Sequence, residues 1–169
     1  MRETENQLQI LLCELAAYLH NKDMEINVWD RIIAFEGRMH EFIKAAYDYQ
    51  DNTFHSHPGY YIDYFEMRLA QLQVLHNLHY EIKKIRKMPK QALVIADYIM
   101  YMADYVVEMN IPDQQIEKLE EISEQMKQEE LPKTREEFEG RALLYHILMD
   151  LEEFLVYKKR FVNGLDEKK

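Results

Sequence analysis

The stretch Pro58–Lys87, PGYYIDYFEMRLAQLQVLHNLHYEIKKIRK, restricts this chain more than any other. It has no internal proline, and its only glycine is Gly59. Pro58 suits the first turn of a helix, where the N–H that proline lacks would have no partner. Tyr61, Phe65, Leu69, Leu72, Leu75, His79 and Ile82 recur every three or four residues, the spacing of one helix face. The pattern predicts a helix about 45 Å long, around which the rest should pack. Arg68 lies three residues after Phe65 and four before Leu72, so it falls on or beside the apolar stripe. A guanidinium cannot shed its charge to escape burial, so Arg68 needs a carboxylate, carbonyls or a ligand close by.

Such a helix needs neighbours of its own kind. Only four Gly and four Pro in 169 residues, with abundant Leu, Ile, Met, Glu, Lys and Tyr, predict an all-α chain folded as a single domain over residues 1–169. The lone Cys13 rules out an intramolecular disulfide and fits a reducing compartment. A net charge of −10 opposes binding to duplex nucleic acid. Arg2, Glu3 and Glu5 before a short amphipathic run do not read as a signal peptide. No stretch of about 18 uncharged apolar residues is present to span a bilayer, so a soluble helical domain is expected.

Five neighbours follow from the punctuation. Thr4 with Gln7 reads as a capping box for a first helix striped by Leu8, Leu11, Leu12, Leu15, Tyr18 and Leu19 and closed by His20-Asn21. Asn27 should cap a second helix over 28–50, whose two adjacent apolar seams predict two neighbours. The run 50–57 breaks before helix three, and Pro89 or Lys90 should start helix four. Its run ALVIADYIMYMADYVV is apolar nearly all round except for Asp97 and Asp104, which reads as a buried core helix. Pro112 and Pro132 bracket an acidic helix over 112–129 with a narrow stripe of Ile116, Leu119, Ile122 and Met126. Thr134 with Glu137 repeats the capping-box pattern and opens helix six, about 135–161, leaving a frayed tail at 164–169. The expected architecture is an elongated antiparallel bundle of six helices, with helices three, four and six at its centre.

Little in this pattern carries catalytic chemistry. The two serines sit in no nucleophile turn, Cys13 has no local activating cation, and four scattered glycines build no phosphate loop. The reading is non-enzymatic, with no cofactor. A carboxylate-bridged metal bundle needs Glu-x-x-His pairs, and the chain has none. His55, His57, His76 and His79 stay as a reserve metal set. Tyr60, Tyr61, Tyr64, Phe65 and Tyr80 crowd helix three around Arg68. Arg68 with Tyr61, Tyr64 and Phe65 is thus a candidate site for a small aromatic carboxylate, by stacking and a bidentate ion pair. The competing expectation is an internal ion pair of Arg68 with Glu137, Glu139, Asp97 or Asp150. Lys83, Lys84, Arg86, Lys87 and Lys90 complement a helix C-terminus, and they also suit anionic lipid or an acidic partner surface.

Two runs resemble a known family. Tyr64-Phe65-Glu66-Met67-Arg68 with Gln71 and Leu75 resembles one signature of the C-terminal domain of bacterial putative aromatic acid exporters. Leu131-Pro132-Lys133-Thr134-Arg135-Glu136-Glu137-Phe138-Glu139 with Arg141-Ala142-Leu143-Leu144 resembles a second, and Leu151-Glu152, Phe154-Leu155 and Lys158 also fit. The resemblance implies a helical domain on the cytoplasmic side of the cell membrane, preceded by a membrane-spanning half of the same polypeptide. The chain would then be an excised part of a larger protein. Its implied role is accessory: assembly as a homo-oligomer, gating or substrate sensing. The alternative is a stand-alone helical module that binds a small aromatic acid or a protein. With the second signature placing carboxylates at the start of helix six, Glu137 or Glu139 becomes the preferred partner of Arg68.

Overall fold

The computed structural model describes residues 1–22, 27–52 and 58–167, which form six helices and, among the described residues, no strand. They are α1 (Arg2–His20), α2 (Val28–Asn52), α3 (Pro58–Lys84), α4 (Ala92–Ala103), α5 (Asp113–Lys127) and α6 (Arg135–Glu167). Pro58 is the first residue of α3, Pro112 caps α5 and Pro132 lies in a connection, all as read; Pro89 also lies in a connection, and α4 starts at Ala92 instead of at Pro89 or Lys90. At the start of α6 the Thr134 hydroxyl accepts the Glu137 N–H at 3.1 Å, and the Glu137 carboxylate accepts the Lys133 N–H at 2.9 Å. The same motif is not a cap in α1. That helix begins at Arg2, so Thr4 lies inside it, buried, with its hydroxyl oxygen unpaired. The tail expected to fray continues α6 through Glu167.

Contacts fix the directions. Glu5 meets Arg68, Tyr18 stacks on His79, and Lys22 donates to the carbonyl of Ile85, so α1 and α3 run parallel. Trp29 lies against Tyr80 and Tyr47 donates to Glu66, while Tyr64 meets Phe161 and Gln71 reaches Phe154. Both α2 and α6 therefore run against α3. Tyr98 donates to the carbonyl of Gln115, and Lys159 pairs with Asp113 at 2.8 Å, so α5 opposes α4 and α6. Odd helices point one way and even helices the other. One apolar core threads all six, from Leu8–Leu19 of α1 through Leu72–Ile82 of α3 to Leu144–Leu155 of α6.

Helix α3 packs along α2 and α6 and touches α1. The second central helix is α1, which touches α2, α3 and α4, whereas α4 packs mainly on α1 and, less, on α5. This corrects the expectation that α4 is an enclosed core helix. Ile95, Ala96, Tyr98, Ile99 and Met102 are buried, but Leu93, Val94 and Met100 are 46–48 % exposed beside the exposed Asp97. With only twelve residues and neighbours on one side, the helix lacks enough partners to cover its circumference.

Candidate functional site

The awkward arginine is fully enclosed. Arg68 is 1 % exposed and donates from Nη1 to Oε1 of Gln71 at 2.8 Å. Its Nη2 reaches the carbonyl of Val106 at 3.4 Å and the carboxylate of Glu5 at 3.6 Å. The guanidinium carbon lies 5.0 Å from the centre of the Tyr64 ring, a cation–π contact. Gln71 passes the connection on, donating to the carbonyl of Phe154 in α6 at 2.8 Å. Helical spacing explains the first link, because residues three apart share a face. The others depend on how α1, α6 and the 104–112 connection pack around α3.

A second buried cation sits beside it. Lys158 of α6 is 4 % exposed, donates to the carbonyl of Glu108, and lies 5.4 Å from the centre of the Phe161 ring. Burial, reinforced by the positive charge of Arg68, pushes its ammonium down to about 8, against the opposing pull of Glu5 and Glu108. The Glu108 carboxylate accepts the hydroxyl proton of Tyr60. Burial and that bond raise the Tyr60 hydroxyl far above its ordinary value. Burial also raises Tyr64, with Arg68 pulling the other way. Arg68, Gln71, Lys158, Glu5, Glu108 and the two tyrosines thus form one polar knot joining α1, α3, α6 and the 104–112 connection.

The knot corrects the expected ion pair. Arg68 pairs with Glu5, not with Glu137 or Glu139: Glu137 binds Arg141 at 2.8 Å and Glu139 binds Arg135 at 3.0 Å, both within α6. Those carboxylates start α6 at the end of the bundle far from Arg68. Asp97 is exposed on α4, and the Asp150 carboxyl is raised to about 6 by burial, with the charges of Glu81 and Glu153 adding to the rise. The four residues grouped as an aromatic-acid site do not form an open pocket. Tyr64 is enclosed and Phe65 packs into the core against Phe42, whereas Tyr61 is 44 % exposed. The space beside Arg68 is about 10 Å³, room for about one water and far below an aromatic ring. The Nε of Arg68 is buried with no protein acceptor.

A larger groove of about 290 Å³ runs between α5 and α6, with Ile116, Leu119, Tyr145 and Leu148 along its floor. Glu120, Glu124 and Glu152 rim it, which opposes an anionic occupant. Of the reserve metal ligands, His55 and His57 lie outside the described residues. His76 faces Glu36 at 3.3 Å and sets its ring edge-on to Trp29, while His79 stacks on Tyr18. Among the described residues no three His, Cys, Asp or Glu side chains come together as a metal set. Lys83, Lys84, Arg86, Lys87 and Lys90 are all exposed at the end of the bundle opposite the knot. Lys84 pairs with Glu81 and Lys90 approaches Glu129 at 3.9 Å.

Sequence reasoning placed Arg68 but missed Glu5 and did not give Lys158 and Gln71 their roles. Gln71 had a readable signal, its position one helical step from Arg68. Lys158 looked like any other lysine near a helix end.

Comparison with known proteins gives three findings. The family model described as "Putative aromatic acid exporter C-terminal domain" matches residues 1–159. The uncharacterized protein YqjA of Bacillus subtilis (strain 168) is 25 % identical over 162 residues, covering 95 % of this chain and 49 % of that protein. The chain therefore spans about half the length of this curated relative. The crystal structure of a putative membrane protein from Clostridium difficile 630 superposes with a TM-score of 0.82 over 95 % of both chains at 24 % identity, which shows the shared fold. Among the described residues no helix is long and apolar enough to cross a membrane.

Proposed function

The chain belongs to the family of putative aromatic acid exporter C-terminal domains, and from that premise we propose that it is the non-enzymatic accessory domain of a membrane exporter for small aromatic acids. In this reading its principal partner is the membrane-spanning half of the same polypeptide, and it lies on the cytoplasmic side of the cell membrane. The observation that carries the reading is the family match over residues 1–159, nearly the whole chain. The knot supports one accessory role over another. Arg68 links the N-terminal turns of α1, where a preceding segment would join, to α3, α6 and the 104–112 connection. A joint of this kind suits holding or transmitting position between halves of a protein, as in assembly or gating. Sensing substrate at Arg68 is disfavoured by the 10 Å³ beside it. Self-association would use the half-exposed Leu93, Val94 and Met100 of α4.

The test is genetic. The reading frame containing these codons is expected to encode membrane-spanning segments upstream, and deleting residues 1–169 from the whole protein should abolish export of benzoate-type acids. A frame with no membrane segment, or export untouched by the deletion, overturns the proposal. The groove between α5 and α6 favours a second reading, a stand-alone binding module. A ligand at a hundred times its dissociation constant would raise folding stability by about 2.7 kcal/mol in a thermal-shift panel. No shift with any small aromatic compound removes the small-molecule form of this second reading, and no partner for the isolated chain in a pull-down with the membrane half absent removes the protein-binding form.

A further inference from the structure

The 104–112 connection does more than close over Arg68. Val106 turns inward and is buried, while Val107, Met109 and Ile111 are 40, 86 and 57 % exposed. Connections usually present polar side chains to water, so an aliphatic outer edge marks a contact surface. The backbone behind that edge is fixed at several points. Arg68 holds the Val106 carbonyl, Lys158 holds the Glu108 carbonyl, Tyr60 binds the Glu108 carboxylate, and Asn110 donates to Gln115 at 3.1 Å. The knot therefore keeps Met109 at the tip instead of letting it fold back onto the core.

Position says what this tip meets. Met1 packs against the Tyr64–Phe161 cluster at the same end of the bundle. In a C-terminal domain joined to a membrane-spanning half, the preceding chain arrives at α1, which turns this end toward the bilayer. The exposed cations Lys83, Lys84, Arg86, Lys87 and Lys90 lie at the other end of α3, about 35 Å along its axis from the Tyr60–Glu108 contact. That is several times the Debye length of roughly 8 Å at physiological salt, so the same bilayer hardly acts on them. Of the acidic groups around the tip, Glu108 is tied to Tyr60 and Asp113 is paired with Lys159, while Asp104 stays exposed at the start of the connection.

We infer that the 104–112 connection is a bilayer-contact element that sets Val107, Met109 and Ile111 into the interfacial region of the membrane, with the basic end of the bundle turned away. The inference rests on the reading of the chain as part of a membrane exporter. Aliphatic side chains at a fixed tip gain by leaving water without needing anionic headgroups. Contact through the basic cluster would need them.

The experiment uses the chain itself with Cys13→Ser, carrying either Met109→Cys or Lys87→Cys labelled with a polarity-sensitive fluorophore. Each is mixed with vesicles of phosphatidylcholine alone and of phosphatidylcholine with phosphatidylglycerol. The label at 109 should shift to the blue on neutral vesicles, with no gain from the anionic lipid, and the label at 87 should not move. A Val107→Cys label on a chain carrying Met109→Asp and Ile111→Asp should bind at least about tenfold more weakly, with an unchanged circular dichroism melt. Silence at 109, or a shift at 87 on either vesicle, overturns the inference. If the reading frame encodes a membrane half and position 109 is still silent, only the contact surface falls and the exporter reading stands.

Discussion

The two ends of this bundle are closed by different physics. At the end where α1 begins, Arg68, Gln71, Lys158, Glu5 and Glu108 are drawn together by directional hydrogen bonds and opposite charge. At the other end the five clustered cations stay in water, Lys22 donates to the carbonyls of Lys83 and Ile85 and Gln91 to Glu129, and a close approach of surfaces seals the α3–α4 connection. Gly140 of α6 sits so near the α3–α4 connection that a Cβ there would lie 2.9 Å from Cγ of Pro89 and 3.2 Å from the Lys87 carbonyl. The enclosed knot carries a large desolvation cost and returns a defined geometry; the contact at Gly140 carries none and tolerates no extra atoms. The difference locates a mechanical joint at the polar end and a plain seam at the other.

Substitutions at each end should therefore fail in different ways. Arg68→Met leaves Gln71 without its donor and Glu5 without its counter-charge, and urea unfolding should show a loss of about 3 kcal/mol. Gly140→Ala should lose about 1–3 kcal/mol by the same measurement, because the added methyl meets a proline ring and a backbone carbonyl. Gly37 makes the contrast sharp. It is exposed in the middle of α2, and an added methyl there would meet nothing within 4 Å, so Gly37→Ala should gain about 0.5–1 kcal/mol from helix propensity alone.

Lys158 gives the polar end a strong pH signature, and Lys22 at the other end, lowered by burial, adds a lesser one of the same sign. The folded value of Lys158, about 8, lies below the 10.5 of a free lysine. Between those values the unfolded chain binds more protons, so this group makes stability rise with pH. The rise should start near pH 8; the Cys13 thiol, raised by burial, works against it in the same window, and ionising tyrosines reverse it from about pH 10. Tyr60, Tyr64 and Tyr98, all raised in the fold, resist losing their protons, so stability falls as the unfolded chain releases them. Thermal melts across that window should show a clearly smaller rise in Lys158→Met than in the parent chain.

Much of the seam was legible in the sequence and much of the joint was not. Helix positions followed from Pro58, Pro89, Pro112 and Pro132 and from the Thr134–Glu137 cap, all signals confined to a few residues. Arg68 declared itself because a charge on an apolar stripe needs an answer. The answer is Glu5, far back in the chain, and only the parallel alignment of α1 with α3 brings the two together. Glu137 and Glu139 looked better placed because they lie within the second family signature at the start of α6, yet both are consumed by neighbours in α6. The apolar run of α4 misled for a related reason: composition reports what a helix can bury, and the number of neighbours decides what it does bury.

Whether the knot acts as one unit is read directly by a double-mutant cycle on Arg68→Met and Gln71→Met. Unfolding free energies of the two single variants and the double variant should reveal a coupling of at least about 1 kcal/mol, whereas Arg68→Met combined with Gly140→Ala at the far seam should be additive within about 0.5 kcal/mol. Additivity of Arg68→Met and Gln71→Met within about 0.5 kcal/mol would contradict it, leaving Arg68 as an isolated buried charge and the joint without its hinge pin.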